Sequence, residues 1–135
     1  MSLLEWSDTL HLGQPVMDET HQGFVELLNR FAAAGDSDRL ARLGVGDELV
    51  EAHFRQEEAW MERMQFPPLG CHRTEHEGVL EVMREVRRRI AGGQSHYGAV
   101  LAQAIAEWFP LHAQSMDTVL ALYIRETGFQ PETTN

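Results

Sequence analysis

The sequence lacks several features that define other classes of protein. It contains no lysine, and its 21 acidic residues against 11 arginines give a formal charge of -10 at pH 7. Binding to nucleic acid or to an anionic membrane surface needs a basic face, so we expect neither as a partner. No apolar run approaches the roughly 20 residues that a membrane-spanning helix requires.

Cysteine is almost absent. The single residue, Cys71, excludes an internal disulfide and is typical of a reducing compartment. Residues 1–8 lack the basic start and apolar middle of a signal peptide, so we expect a cytoplasmic protein. Hydrophobic residues make up 43% of the 135 residues, which predicts a single domain over residues 1–135 with one core.

Glycine and proline divide the chain into an irregular arm, residues 1 to about 16, and a helical region, about 17–127. The predicted helices span about residues 18–35, 37–64, 71–91 and 95–126. Asp18 is the predicted N-cap of the first helix, and Gly35 its end. Short connections without strand signals predict an all-α, antiparallel up-down four-helix bundle. Gly44 and Gly46 predict an irregularity in the second helix, and Pro110 a kink in the fourth.

Candidate metal ligands occur on all four predicted helices. They are His21 on the first helix, His53 and Glu57 on the second, His72 and His76 on the third, and His112 and Asp117 on the fourth. Each residue turns an α-helix by about 100°, so side chains four positions apart lie within about 40° of each other. Glu58 differs in direction from His53 by about 140°, which makes Glu57 the predicted ligand.

Imidazoles and carboxylates suit iron, zinc, copper or manganese, and bundle cores build such sites from facing helices. Seven ligands are more than one ion usually takes from a protein. Two carboxylates that can bridge therefore predict a pair of ions. The other two histidines, His11 in the arm and His96 at a helix start, are predicted surface residues.

The spacing of five between His112 and Asp117 would point these side chains about 140° apart on a regular α-helix. Both are needed at one metal pair. We therefore predict a π-bulge between them, since such bulges insert one residue and recur at functional sites.

Five motifs in this order and spacing resemble the hemerythrins, especially their single-domain bacterial members. They are Trp6 in the arm, Asp18-x-x-His21, His53-Phe-x-x-Glu-Glu58, His72-x-x-x-His76, and Trp108 four residues before His112-x-x-x-x-Asp117. The resemblance covers nearly the whole chain.

The resemblance implies a non-haem diiron site that binds dioxygen reversibly. One iron would be held by His72, His76 and His112, and the other by His21 and His53. Glu57 and Asp117 would bridge the two ions beside an oxo or hydroxo bridge. The iron with two histidines would keep a vacant position for dioxygen.

The implied function is oxygen transport, storage or sensing, without catalysis. The alternatives on the same ligands are a diiron oxidase, peroxidase or nitric oxide-handling enzyme, and an iron storage protein. Carboxylate-rich diiron sites support oxidative chemistry, because their negative charge stabilises high-valent iron. Five neutral imidazoles with two carboxylates supply less negative charge, which favours oxygen binding over oxidation. Two positions depart from the family pattern: Thr20 replaces the usual glutamine before the first histidine, and Ala113 replaces a larger aliphatic residue after His112.

Overall fold

The computed structural model describes residues 3–34 and 36–132, with side chains omitted for residues 36–42, 44 and 45. A 3-10 helix, Asp8–Leu10, precedes α1 (Pro15–Ala33), α2 (Asp36–Arg63), α3 (Leu69–Ala91), α4 (Tyr97–His112) and α5 (Thr118–Thr127). A π-helical segment, Ala113–Asp117, joins α4 to α5, so these three pieces form the fourth long helix. No strand occurs in the described ranges, which confirms the predicted all-α class.

Two apolar clusters show how the four long helices are arranged. The first cluster includes Phe24, Phe54, Leu80 and Phe109, and the second includes Met17, Trp60 and Leu120. The chain runs from the second cluster to the first along α1, and returns along α2. It then reaches the first cluster again on α3 and the second again on α5. The bundle is therefore antiparallel, as predicted, and the candidate ligands lie between the two clusters.

The first helix begins at Pro15, three residues before the predicted N-cap Asp18. The Gln14 side chain accepts a hydrogen bond from the Met17 N–H at 2.9 Å, and proline at the first helical position has no N–H to satisfy. Asp18 instead joins the arm to the bundle. Its carboxylate accepts hydrogen bonds from the N–H groups of Leu12 at 2.8 Å and Gly13 at 3.1 Å.

Three apolar residues of the arm contact the bundle. Leu10 is buried in the first cluster, against which Trp6 also packs, and Leu12 packs against the second cluster. The Asn29 amide donates to the Leu4 carbonyl at 2.8 Å and accepts from its N–H at 3.0 Å.

The other predicted boundaries need small changes. Gly35, the predicted end of the first helix, lies outside the described residues. The prediction of an irregularity at Gly44 and Gly46 is wrong, because α2 is a continuous helix from Asp36 to Arg63. Pro110 lies inside α4, and the kink at this position stays a prediction. None of the described helices combines the length and apolar character needed to span a membrane.

Candidate metal centre

All seven predicted ligands meet in the middle of the bundle. They form two groups that share Glu57, and within each group the candidate donor atoms lie within 4.8 Å of one another. The larger group contains Glu57, His72, His76, His112 and Asp117, and the smaller contains His21, His53 and Glu57. Every member is buried except His53, whose side chain is 11% exposed.

Asp117 and Glu57 each direct one oxygen to the histidines of each group. Asp117 Oδ2 lies 3.3 Å from His21 Nε2, whereas its Oδ1 lies 3.0 Å from His72 Nε2 and 3.2 Å from His112 Nε2. This arrangement would allow the Asp117 carboxylate to bridge two ions.

Glu57 repeats the pattern from the second helix. Its Oε2 lies 3.3 Å from both His21 Nε2 and His53 Nε2. Its Oε1 lies 3.4 Å from His76 Nε2 and 3.6 Å from His72 Nε2. The two carboxylates therefore stand between the same two sets of imidazoles.

The donor atoms of the larger group are buried without hydrogen-bond partners. They include the Nε2 atoms of His72, His76 and His112, Glu57 Oε1, and both oxygens of Asp117. Buried polar atoms without partners are costly in a folded protein. Donors bound to one ion at about 2.1 Å and at right angles would lie about 3.0 Å apart, close to the separations found. A pair of metal ions therefore fits these residues.

The π-helical segment brings Asp117 to the same side of the fourth helix as His112. The Thr118 N–H reaches back five residues to the Ala113 carbonyl, and the Thr118 hydroxyl donates to the same oxygen at 2.8 Å. The Ser115 hydroxyl donates to the Leu111 carbonyl at 2.6 Å. The predicted π-bulge is thus confirmed, and two hydroxyl groups satisfy carbonyls of the widened turn.

The electrostatics of the metal-free centre are those of imidazoles beside two anions. Burial lowers the pKa of His21, but the negative charges of Asp117 and Glu57, together with the Glu57 contact at 3.3 Å, outweigh burial and raise the pKa to about 10. The same carboxylates raise the pKa of His72 to about 9 against burial. Burial raises the pKa of Glu57 and of Asp117, yet the surrounding imidazoles lower both pKa values overall. Metal binding would displace the imidazole protons.

Two further carboxylates contact the imidazoles from outside the centre. Glu58 Oε2 lies 2.9 Å from His76 Nδ1, and Glu75 Oε1 lies 2.8 Å from His112 Nδ1. Glu58 was not among the predicted ligands and had no predicted role, and Glu75 was not predicted at all. Trp108, four residues before His112, was the one sequence signal for a nearby acceptor. Its Nε1 donates a hydrogen bond to Glu75 at 3.1 Å.

Aromatic rings enclose the imidazoles. The Phe54 ring stacks on His76 with centroids 3.9 Å apart, and Trp108 stacks on His112 at 4.5 Å. Around the smaller group, the edge of Phe109 meets His21 at 5.3 Å and Phe24 lies 6.0 Å from His53. These rings limit the access of water to the centre.

The residues predicted to lie outside the centre do so. His11 and His96 are exposed, and His11 Nε2 lies 3.2 Å from Asp18 Oδ2. Cys71 is an exposed free thiol. The Thr20 hydroxyl donates to the Met17 carbonyl of its own helix. Ala113 is fully buried at the start of the π-helical segment.

Comparison with known proteins agrees with this geometry. The model of the hemerythrin HHE cation binding domain matches residues 12–123. A bacteriohemerythrin of Ralstonia nicotianae is 41% identical over 128 residues, covering 95% of this chain and 93% of that protein. A bacteriohemerythrin of Stenotrophomonas maltophilia is 32% identical over 125 residues, with coverages of 90% and 81%.

The fold also matches a solved structure. A crystal structure of a leucine-to-alanine mutant of a hemerythrin superposes with a TM-score of 0.81, covering 91% of this chain and 98% of that one at 20% identity. The buried cluster of histidines and carboxylates suits a non-haem diiron site. With the family model spanning most of the chain and relatives above 30% identity, the protein belongs to the hemerythrin family.

Proposed function

We propose that the chain binds dioxygen reversibly, without catalysis, at a non-haem diiron centre within a single domain. The two ions would be held by His21, His53, Glu57, His72, His76, His112 and Asp117. A ferrous pair supplies the electrons that dioxygen accepts when it binds. The protein's own contribution is to fix the donors, to exclude water and to leave one coordination position free.

The observation that carries the proposal is the unequal division of donors between the two groups. With one oxygen from each carboxylate, the group around His72, His76 and His112 offers five donor atoms. The group around His21 and His53 offers four. A bridging oxo or hydroxo group would complete six-fold coordination at the first position and leave one position open at the second.

The surroundings of the smaller group favour binding of a small neutral molecule. His21 is flanked by Phe109, and His53 by Phe24 and Phe54. Apolar surroundings make the entry of a charged substrate costly, whereas a diatomic gas has no charge to desolvate. The described residues around the centre also provide no lysine or free arginine that would orient an anionic substrate.

Oxygen binding is tested by loading the protein with ferrous iron under anaerobic conditions and following its optical spectrum. We expect two irons per chain and a spectral change in air that reverses when oxygen is removed with argon, over repeated cycles. His53→Ala should reduce iron content and abolish the change. His96→Ala is the matched control, because this exposed histidine lies outside the centre.

Other outcomes would identify the alternatives. Rapid loss of the oxygenated spectrum with steady consumption of a reductant would indicate an oxidase or peroxidase. Ready iron exchange in a ferrous form that ignores oxygen would indicate iron storage. Fewer than two irons per wild-type chain would refute the diiron proposal itself.

A further inference from the structure

The carboxylates outside the centre contact only some of the imidazoles. Glu58 meets His76 Nδ1 and Glu75 meets His112 Nδ1, at 2.9 and 2.8 Å. Both imidazoles belong to the group with three histidines. An imidazole that binds a metal through Nε2 carries its proton on Nδ1, so each of these contacts is a hydrogen bond from Nδ1–H to a carboxylate.

The group with two histidines has no equivalent support in the described part of the chain. His21 Nδ1 is buried and has no hydrogen-bond partner. The carboxylate that contacts His53 is Glu57, which does so through Nε2 and is itself a candidate ligand. The hydrogen bonds that increase the electron-donating power of an imidazole are therefore concentrated at one end of the centre.

Neighbouring side chains hold both carboxylates in position. Glu58 Oε1 accepts hydrogen bonds from Arg55 at 2.9 Å and Arg73 at 3.3 Å, which leaves Oε2 for His76. The two guanidinium groups beside Glu58 stabilise the charged form of its carboxylate. Glu75 accepts from the Trp108 indole, whose ring also stacks on His112.

We propose that Glu58 and Glu75 are positioning residues that lower the reduction potential of the iron at the three-histidine position below that of the iron at the two-histidine position. This inference rests on the proposed diiron function. A carboxylate that accepts the Nδ1 proton makes the imidazole a stronger donor, which favours the more highly charged metal ion. Reduction of the pair should then take place in two steps, first at the two-histidine position and then at the three-histidine position.

The test is an anaerobic potentiometric titration of the two-iron protein, followed optically. Wild-type protein should show two one-electron steps. Glu75→Gln keeps a neutral hydrogen-bond acceptor and removes the charge, and it should raise the lower potential while leaving the higher one nearly unchanged. Loss of such a partner typically weakens metal binding about 10- to 100-fold. If only the affinity for ferric iron fell, each tenfold loss of that affinity would raise the reduction potential by about 59 mV.

Glu58→Gln should act in the same direction. Since Glu58 is buried and Glu75 is one-third exposed, Glu75→Gln keeps the test available if the Glu58 variant fails to fold. Glu62→Gln is the matched control, because Glu62 contacts Arg73 at the surface and touches no imidazole.

Three results would overturn the inference: a single reduction step in wild-type protein, an equal shift of both potentials, or the same shift in the Glu62 control. Oxygen is absent throughout, so these results are independent of whether the protein binds oxygen. Iron analysis beforehand shows separately whether the diiron proposal has failed.

Discussion

Deletion of Gln114 is the most informative perturbation of the π-helical segment. Gln114 is exposed, and its removal would shorten the interval from His112 to Asp117 from five residues to four. On a regular α-helix a spacing of four keeps two side chains within about 40° of each other. The deletion should therefore convert the segment to α-helix without removing Asp117 from the centre.

The same register argument predicts a small effect on stability. Helix α5 keeps its orientation, so Leu120 and Ile124 remain buried in the second cluster. We expect the free energy of unfolding to change by no more than about 1 kcal/mol, as for a surface substitution. Iron content per chain should remain that of the wild-type protein.

Deletion of the exposed Val119 is the matched control. If the π-helical segment persisted, Leu120 and Ile124 would turn about 100° away from the core, at a cost of about 3–6 kcal/mol for two aliphatic side chains. If the segment became α-helical, Leu120 would stay but Asp117 would leave the centre. Either route loses stability or iron.

Thermal unfolding and iron analysis of the two deletion variants distinguish these outcomes. Thermal unfolding of the apoproteins reports the packing, and iron per chain after anaerobic loading reports the position of Asp117. If deletion of Gln114 were as damaging as deletion of Val119, the π-helical segment would be more than a single-residue insertion, and the register argument would be refuted.

Three further predictions concern the metal, the arm and the aromatic wall. In metal-free folded protein, the pKa values of about 10 for His21 and 9 for His72 exceed the ordinary value of 6.5. The two protonated imidazoles should therefore contribute fully to the free energy of unfolding below about pH 6.5, and this contribution should be lost by about pH 10. Metal-loaded protein should show the opposite trend, because it loses metal as the pH falls. Melting temperatures of both forms at several pH values would test this, and the same pH dependence in both forms would contradict the reasoning. Asp18→Ala should destabilise the protein by about 1–3 kcal/mol, because it leaves two N–H groups of the arm without their acceptor. Proteolysis between residues 3 and 14 should then be faster than in the control variant Glu19→Ala. Phe54→Ala should cost about 3–5 kcal/mol in denaturant unfolding, because it removes a buried ring that stacks on His76; a loss below 1 kcal/mol would mean that the site collapses around the gap.

Local periodicity was sufficient to predict the helices and the residues that meet at the centre. A spacing of four places His53 with Glu57, and His72 with His76, whatever surrounds them, because the geometry of an α-helix is set by its own hydrogen bonds. The spacing of five at Asp117 could be interpreted only by requiring convergence with His112, and the π-helical segment is the local structure that meets this requirement.

The start of α1 was misplaced because two local signals competed. Asp18 is a good N-cap residue, but Gln14 followed by Pro15 forms the actual start. The choice between them depends on the arm, whose N–H groups at Leu12 and Gly13 use the Asp18 carboxylate. A contact between the arm and the helix is thus what determines the boundary.

The sequence alone therefore determined which face of each helix carries the donors, because that property depends on the order of residues within one helix. Only the tertiary structure decided how the helices are rotated and shifted against each other. That arrangement directs Glu75 of α3 to His112 of α4, and one oxygen of Asp117 to each set of imidazoles. Such contacts depend on the packing of side chains from several helices at once, which no spacing along a single helix specifies.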